Sequence, residues 1–297
     1  MVADTLGIDL GGSLIKAVVC SAEGDIRERV VEPSLVEQGP APTFDRVADL
    51  IERLRASHGI QSIGLGICGP VDHAAGAVRR SPILPGWNDV LVIEALAERV
   101  GAVVQLENDA ACAILGEWWQ GAGTGLPIVA GVTLGTGIGG GLIVDGSVYR
   151  GHGSWGAEFG HVAVADGPAC PCGGSGCVNQ LASVTATLDR YRQLAGADVS
   201  DVDELLRKSE EGDDAARQAL ATSAHYLSKA VRTLLNVLNP SVFVLAGGMA
   251  QMGQSLGRTV EEQIAGSTFE GLDSTPVRVA QLGLFSGAVG AARLATS

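Results

Sequence analysis

Three cysteines and a histidine crowd one short stretch of the chain: His161, then Cys170-Pro171-Cys172-Gly173-Gly174-Ser175-Gly176-Cys177. Three thiolates and an imidazole complete a tetrahedral zinc set, and the intervening glycines allow the tight loop that converging sulfurs require. A zinc held by His161, Cys170, Cys172 and Cys177 has no open coordination position, so it is structural rather than hydrolytic. The other cysteines, Cys20, Cys68 and Cys112, are scattered in apolar contexts and read as buried small hydrophobes. Two glycine-rich turns carry a second kind of chemistry. Asp9-x-Gly11-Gly12-Ser13 and Gly135-Thr136-Gly137 each lie between strand-like segments. Glycines there let backbone N–H groups approach phosphate oxygens, and Ser13 or Thr136 adds a hydroxyl donor. Asp9, beside the first turn, is placed to hold Mg²⁺ through water. The run Gly135–Gly140 formally matches the dinucleotide fingerprint, but that fingerprint needs a helix next, and Leu142–Val144 is strand-like. No G-x-x-x-x-G-K-[ST] motif occurs, which excludes a P-loop.

The elements that must position these residues alternate between strand and helix, so the class is α/β. Leu6–Leu10, Ile15–Cys20 and Ile26–Val31 read as strands, the last two joined by a turn at Ala22-Glu23-Gly24-Asp25. Phe44, Val47, Leu50, Ile51 and Leu54 keep helical spacing. Ile60–Ile67 and Val103–Leu106 are strand-like, while Val92–Val100 and Ala110–Trp119 are helix-like. Ile128–Leu134 leads into the second glycine turn, and Asp145-Gly146 signals a hairpin into Ser147–Tyr149. A long helix over about 214–238, strands at Val242–Ala246 and Val277–Gln281, and a helix from about Ser286 complete the reading. Glycine-rich β-turn-β units thus open both halves, which predicts two related lobes with a cleft between them. The expected boundaries are a smaller α/β lobe over 1–110, with the terminal helix 284–297 packing back on it, and a larger lobe over 111–283 carrying the zinc loop.

With 297 residues and 46% hydrophobic content the chain has enough apolar surface for a real core, which excludes global disorder. Forty-two glycines against eleven prolines, without a Gly-X-Y period, mean tight turns and close backbone approaches rather than collagen. The formal charge of −13 repels phosphate backbones and anionic membranes, so neither nucleic acid nor membrane is an expected partner. No window holds the ~18 apolar residues of a membrane span. The opening MVADTLGIDLGG lacks a signal peptide's basic and apolar regions, so the expected location is cytoplasmic.

Gly156-Ala157-Glu158-Phe159-Gly160-His161 followed by C-x-C-G-x-x-G-C resembles the signature of the ROK family (repressors, open reading frames, kinases). Asp9-x-Gly11-Gly12, Glu107-Asn108-Asp109 and the second glycine turn fall in the family's order, so the likeness spans nearly the whole chain. The two glycine turns resemble the phosphate motifs of actin-like sugar kinases. Ala246-Gly247-Gly248-Met249 resembles the adenosine-contacting glycine pair of the same family. The resemblance implies an actin-like (ribonuclease H-like) ATPase fold with two lobes around a central cleft, where sugar and ATP meet. It implies Asp109 as the catalytic carboxylate beside the attacking hydroxyl, with Asn108 holding neighbouring hydroxyls. Asn108 and Asp109 are also good helix N-caps, and one residue can do both. Glu158 and His161 match positions that bind the sugar ring, and His161 then serves twice, one ring nitrogen on zinc and the other on a hydroxyl. ATP, Mg²⁺ and a structural Zn²⁺ are the implied cofactors, a small sugar the implied partner, and a homodimer or homotetramer the expected assembly.

Three departures matter. Family glucokinases typically carry Glu two residues past the last zinc cysteine, at a substrate-binding position that here is Asn179. They typically carry Asn in Pro-Asn-Leu-x-x-Trp, whereas this chain reads Pro82-Ile83-Leu84-Pro85-Gly86-Trp87. Leu14 replaces the lysine common after the first glycine motif, with Lys16 two residues on. A site built for hydroxyls discriminates strongly when a polar partner is lost. The expectation therefore leans to a kinase acting on the 6-hydroxyl of an amino- or otherwise modified hexose, such as kanosamine or N-acetylmannosamine. Glucokinase with ATP or polyphosphate as donor, and a non-catalytic sugar sensor, are the alternatives. ROK repressors carry a helix-turn-helix domain before the first glycine motif, and here that motif begins at residue 7, which favours the kinase branch. His58, His73, His152 and His225 show no partner pattern and read as surface or core histidines.

Overall fold

The computed structural model describes residues 4–79, 81, 84, 86–249, 254–266, 269 and 271–296. Pro82, Ile83 and Pro85 of the altered segment lie outside the described residues. The chain groups into two compact units, Met1–Gly125 with Gly141–Ala157 and Gln281–Ser297, and Leu126–Gly140 with Glu158–Ala280.

In the first unit, β1 (Thr5–Leu10), β2 (Leu14–Cys20) and β3 (Ile26–Pro33) form an antiparallel meander, and α1 (Pro40–Ser57) follows. The run Thr-Leu-Gly-Ile-Asp-Leu of β1 is buried throughout, as an interior strand requires, whereas β3 alternates half-buried and exposed residues as an edge strand does. The strand β4 (Ser62–Ile67) lies parallel to β1. Two-residue strands β5 (Val71–Asp72), β6 (Ala77–Val78) and β7 (Val90–Leu91) make a small separate sheet before α2 (Val92–Val100). Next, β8 (Val104–Asn108) pairs parallel with β4 and runs directly into α3 (Asp109–Gln120). The sheet order is β3-β2-β1-β4-β8. Phe44, Val47, Leu50, Ile51 and Leu54 bury the apolar face of α1, and fully buried Trp87 packs edge-on to Phe44 at 5.2 Å. That tryptophan belongs to the core.

The chain continues through β9 (Ile128–Leu134), β10 (Ile138–Val144) and β11 (Ser147–Val148). Two short helices, α4 (Val178–Ala182) and α5 (Val184–Ala195), precede α6 (Val202–Glu210) and the long α7 (Asp214–Leu238). Asp213 caps α7 by accepting from the Ala216 amide at 3.0 Å, and Asn239 ends it in the left-handed conformation. The remaining elements are β12 (Val242–Ala246), α8 (Gln254–Ile264), β13 (Val277–Val279) and α9 (Ser286–Leu294). The second sheet has the order β11-β10-β9-β12-β13, with β9, β12 and β13 parallel. A hairpin followed by parallel strands therefore occurs in both sheets, as the repeated β-turn-β pattern predicts. Among the described residues no helix is long and apolar enough to cross a membrane.

The terminal helix α9 belongs to the first unit because its small residues permit contact at backbone distance. A Cβ on Gly290 would lie 1.7 Å from the Cys112 carbonyl oxygen, and one on Gly64 would lie 1.8 Å from that of Ala291. Neither space admits a side chain. The same close approach groups α3 with the first unit, so that this unit extends to Gly125 where the sequence reading placed its boundary at 110. The strand β10 begins at Ile138 rather than Leu142, so Gly139–Gly141 are strand residues. A Cβ on Gly141 would meet Ile114 of α3 at 2.8 Å. The turn is thus confined to 135–137.

Candidate active site

The first glycine turn closes β1 onto β2, with the Gly11 amide donating to the Leu14 carbonyl at 3.0 Å. Asp9 lies opposite Lys16 in the register of these strands, and the Lys16 ammonium meets its carboxylate at 2.7 Å. Asp9 is 6% exposed. Burial pushes its carboxyl upward, opposed by Lys16. Lys16 thus supplies a cation on β2 beside the turn, which Leu14 does not, a pairing legible from the seven-residue offset only once the strand register is known.

The junction of β8 and α3 carries Glu107, Asn108 and Asp109. Asn108 is the N-cap of α3, its Oδ1 accepting from the amides of Ala110 at 2.9 Å and Ala111 at 3.1 Å. Its Nδ2 donates to the Gly69 carbonyl at 3.1 Å. An amide oxygen has two lone pairs and an amide nitrogen two hydrogens. Asn108 therefore has one N–H left to offer a ligand and no acceptor. Asp109 is half-buried, and its Oδ1 accepts from the Ala110 amide at 2.8 Å. Burial and the neighbouring Asp9 charge push the Asp109 carboxyl up to about 6, against the Ala110 amide and Lys16, which lower it.

Glu107 is 2% exposed and fully engaged. Its Oε1 accepts from the Asn108 amide at 2.9 Å, and its Oε2 accepts from Arg150 Nε at 2.8 Å. His73 brings Nε2 to 3.1 Å from the same Oε2, off the hydrogen-bond axis. Burial raises the Glu107 carboxyl, but His73, the Asn108 amide and Arg150 outweigh it and hold the group below its ordinary range. Sequence reasoning missed this cluster, because three residues at 73, 107 and 150 share no local pattern. His58 likewise has a partner the sequence hid, Glu28 at 2.6 Å.

In the second unit the glycine turn between β9 and β10 is braced from behind. The Ile138 amide donates to Asn179 Oδ1 at 2.6 Å, the Val184 amide to the Gly135 carbonyl at 3.0 Å, and Thr185 Oγ1 to the Thr136 carbonyl at 2.9 Å. The Gly135 amide is taken by the Gly137 carbonyl at 3.0 Å. The amides of Thr136 and Gly137 are left without a protein acceptor among the described residues, as an anion-binding turn requires. Gly247 follows β12 with φ 90°, and a Cβ there would lie 2.6 Å from Leu134 N. Parallel pairing of β12 with β9 thus brings exposed Gly247 and Gly248 beside the start of the second turn.

His161, Cys170, Cys172 and Cys177 also converge, all four ligand atoms lying within 4.8 Å of one another. Zinc at ~2.3 Å from sulfur and ~2.05 Å from nitrogen, in a tetrahedron, sets S···S near ~3.8 Å and S···N near ~3.5 Å. Cys172 and Cys177 stand 3.7 Å apart, and Cys170 Sγ stands 3.4 Å from His161 Nδ1. The donor set fits the ion. His161 turns Nδ1 to the thiols, while Nε2 lies 3.9 Å from Glu158 Oε2, and both side chains are at least one-third exposed.

A profile of the ROK family matches residues 5–297. The chain belongs to the ROK family. It is 34% identical to a glucokinase of Thermotoga maritima over 87% of this chain and 86% of that protein. Among solved structures, a ROK hexokinase from Thermus thermophilus superposes with a TM-score of 0.86 at 33% identity, covering 98% and 97% of the two chains. A ROK glucokinase from Streptomyces griseus in complex with glucose and AMPPNP superposes with a TM-score of 0.85 at 30% identity, covering 98% and 99%. The actin-like ATPase fold expected from the glycine motifs is the fold of this ROK chain.

Proposed function

We propose that this ROK sugar kinase transfers the γ-phosphoryl group of ATP to the 6-hydroxyl of a hexose, with Asp109 accepting the hydroxyl proton. The observation that carries the reading is the Asp109 carboxyl, half-buried at the β8–α3 junction and pushed up to about 6. A base pitched close to neutrality is largely ionised at pH 7 yet holds a proton well enough to take it as the hydroxyl attacks. Most of the remaining barrier falls to positioning and charge neutralisation. Mg²⁺, when bound, neutralises the triphosphate, and Asp9 is the residue to hold it through water. Gly11, Gly12 and Ser13 and the amides of Thr136 and Gly137 serve the phosphates, and Gly247 and Gly248 the adenosine. Asn108, Glu158 and His161 serve the sugar. The zinc set of His161, Cys170, Cys172 and Cys177 fixes the imidazole so that Nε2 faces a ring hydroxyl.

The sugar we favour carries an amino or N-acetyl group. Asn179 replaces a carboxylate with a neutral amide whose oxygen accepts from the Ile138 amide at 2.6 Å, so this position supplies no anion to a hydroxyl. Plain glucose is the second reading, favoured by the glucokinase relative at 34% identity. Incubation with ATP-Mg²⁺ and a panel of hexoses and amino-hexoses, scored by ADP release, separates them. A kcat/KM at least tenfold higher for an amino-hexose than for glucose supports the first, and glucose ahead of every amino-hexose establishes the second. Sugar binding without ADP release from any of them leaves a sensor.

A further inference from the structure

Residues 150–157 form a tight loop with an unusual backbone. The Gly156 amide donates to the Arg150 carbonyl at 2.8 Å, which closes the loop on itself. Gly151, Gly153, Ser154 and Ala157 all have positive φ, at 65°, 67°, 71° and 61°. For serine and alanine that conformation is costly, and it persists only where the surroundings over-determine it. A Cβ on Gly156 would lie 2.7 Å from the Arg150 carbonyl carbon, so the loop has no slack at its neck. A loop with so little slack is positioned by its packing against β5 and by whatever holds its root. That root is Arg150, whose guanidinium is 41% exposed yet donates to the nearly inaccessible carboxylate of Glu107. The other oxygen of Glu107 holds the backbone amide of Asn108. One buried carboxylate therefore fixes two things, the strand end that presents Asn108 and Asp109 and the root of loop 150–157.

We propose that Glu107 and Arg150 are a positioning couple for sugar binding, holding loop 150–157 against the strand end that carries Asn108 and Asp109. This rests on the reading of Asn108 and Asp109 given above. Neither member of the couple touches the substrate. The planar guanidinium makes a directed Nε–H bond that a lysine ammonium replaces only as a point charge, so rescue by lysine should be partial.

The test uses steady-state kinetics with the best hexose of the panel, together with hydrogen exchange. Arg150→Ala should raise KM for sugar at least tenfold while KM for ATP stays within twofold, and Arg150→Lys should recover part of the loss. Glu107→Gln keeps an acceptor for the Asn108 amide but loses the charge on Arg150. Combined with Arg150→Ala, it should add no more than twofold to the sugar KM, because both remove one contact. Exchange in 150–157 should rise in Arg150→Ala. A sugar KM equal to that of the unmodified chain, or full multiplication of the two single effects, overturns the couple. If the unmodified chain phosphorylates no hexose, the kinase reading fails by itself. Exchange then decides the anchor, and unchanged protection of 150–157 in Arg150→Ala refutes it.

Discussion

Replacing Asp109 with asparagine should stabilise the protein while stopping it from working. The carboxyl is pushed from an ordinary 3.8 to about 6, by burial first and the Asp9 charge second. The folded state thus holds this proton more tightly than the unfolded chain. Ionising Asp109 costs stability, and the cost grows as pH climbs through the interval between 3.8 and about 6, then levels off. Integrated over that interval, the cost is about 1 kcal/mol at pH 4.5 and about 3 kcal/mol at pH 7.5. The substituted side chain would keep an oxygen for the Ala110 amide, and the anion's attraction to the first turn of α3 is already contained in the folded-state value. The gain for Asp109→Asn is therefore about 3 kcal/mol at pH 7.5 and about 1 kcal/mol at pH 4.5. Urea midpoints of both proteins at the two pH values read it directly. Turnover should fall by at least ~10²-fold, the usual worth of a positioned base, with sugar binding retained. A variant that is less stable than its parent at pH 7.5 refutes the burial argument. One that turns over near-normally refutes the base.

In the unmodified enzyme, kcat should fall as pH drops below about 6, since Asp109 must be ionised to take a proton; a rate flat from pH 7.5 to 5 would count against it. Elemental analysis of protein purified without chelator should find one zinc per chain, and Cys172→Ser should lower the urea midpoint because metal-binding energy at such a site is folding energy. Protein free of zinc would end that assignment. Glu117 is fully buried and accepts from the amides of Ala122, Gln281 and Leu282 at 2.9 Å and from Ser286 Oγ at 2.8 Å. Glu117→Gln sets an NH₂ against two of those donors and should cost about 2 kcal/mol or more, measured as a lower urea midpoint. An unchanged midpoint would mean that the network is dispensable.

Strand and helix were legible wherever one apolar period ran long enough. Phe44 to Leu54 gave α1, and β1, β8 and β12 stood out as short apolar runs. The helices α4 and α5 did not, because their apolar residues are too few to show a period, and the start of β10 hid inside glycines that read as a turn. The convergence of His161, Cys170, Cys172 and Cys177 was legible because cysteine is a rare residue type and three are bunched in eight positions with His161 close by. Lys16, Glu107 and Arg150 were not, since each acts through a partner that only strand register or a long loop supplies. Glu117 shows the same limit: its donors lie as much as 169 residues away.

Asn108 marks the point where local and functional readings meet. One residue can both cap and bind sugar, and the hydrogen-bond inventory shows what the cap leaves for the sugar. The cap consumes both lone pairs of Oδ1, and Gly69 takes one hydrogen of Nδ2. What remains is a single N–H held rigidly by the first turn of α3. A hydroxyl meeting it must accept, which leaves that hydroxyl's own proton to donate elsewhere. Asp109, the next residue, is an ionised acceptor above about pH 6. On the proposed reading, the cap thus fixes the donor direction of a hydroxyl beside the attacking one. Its proton turns away from Asn108, which has nothing left with which to accept it.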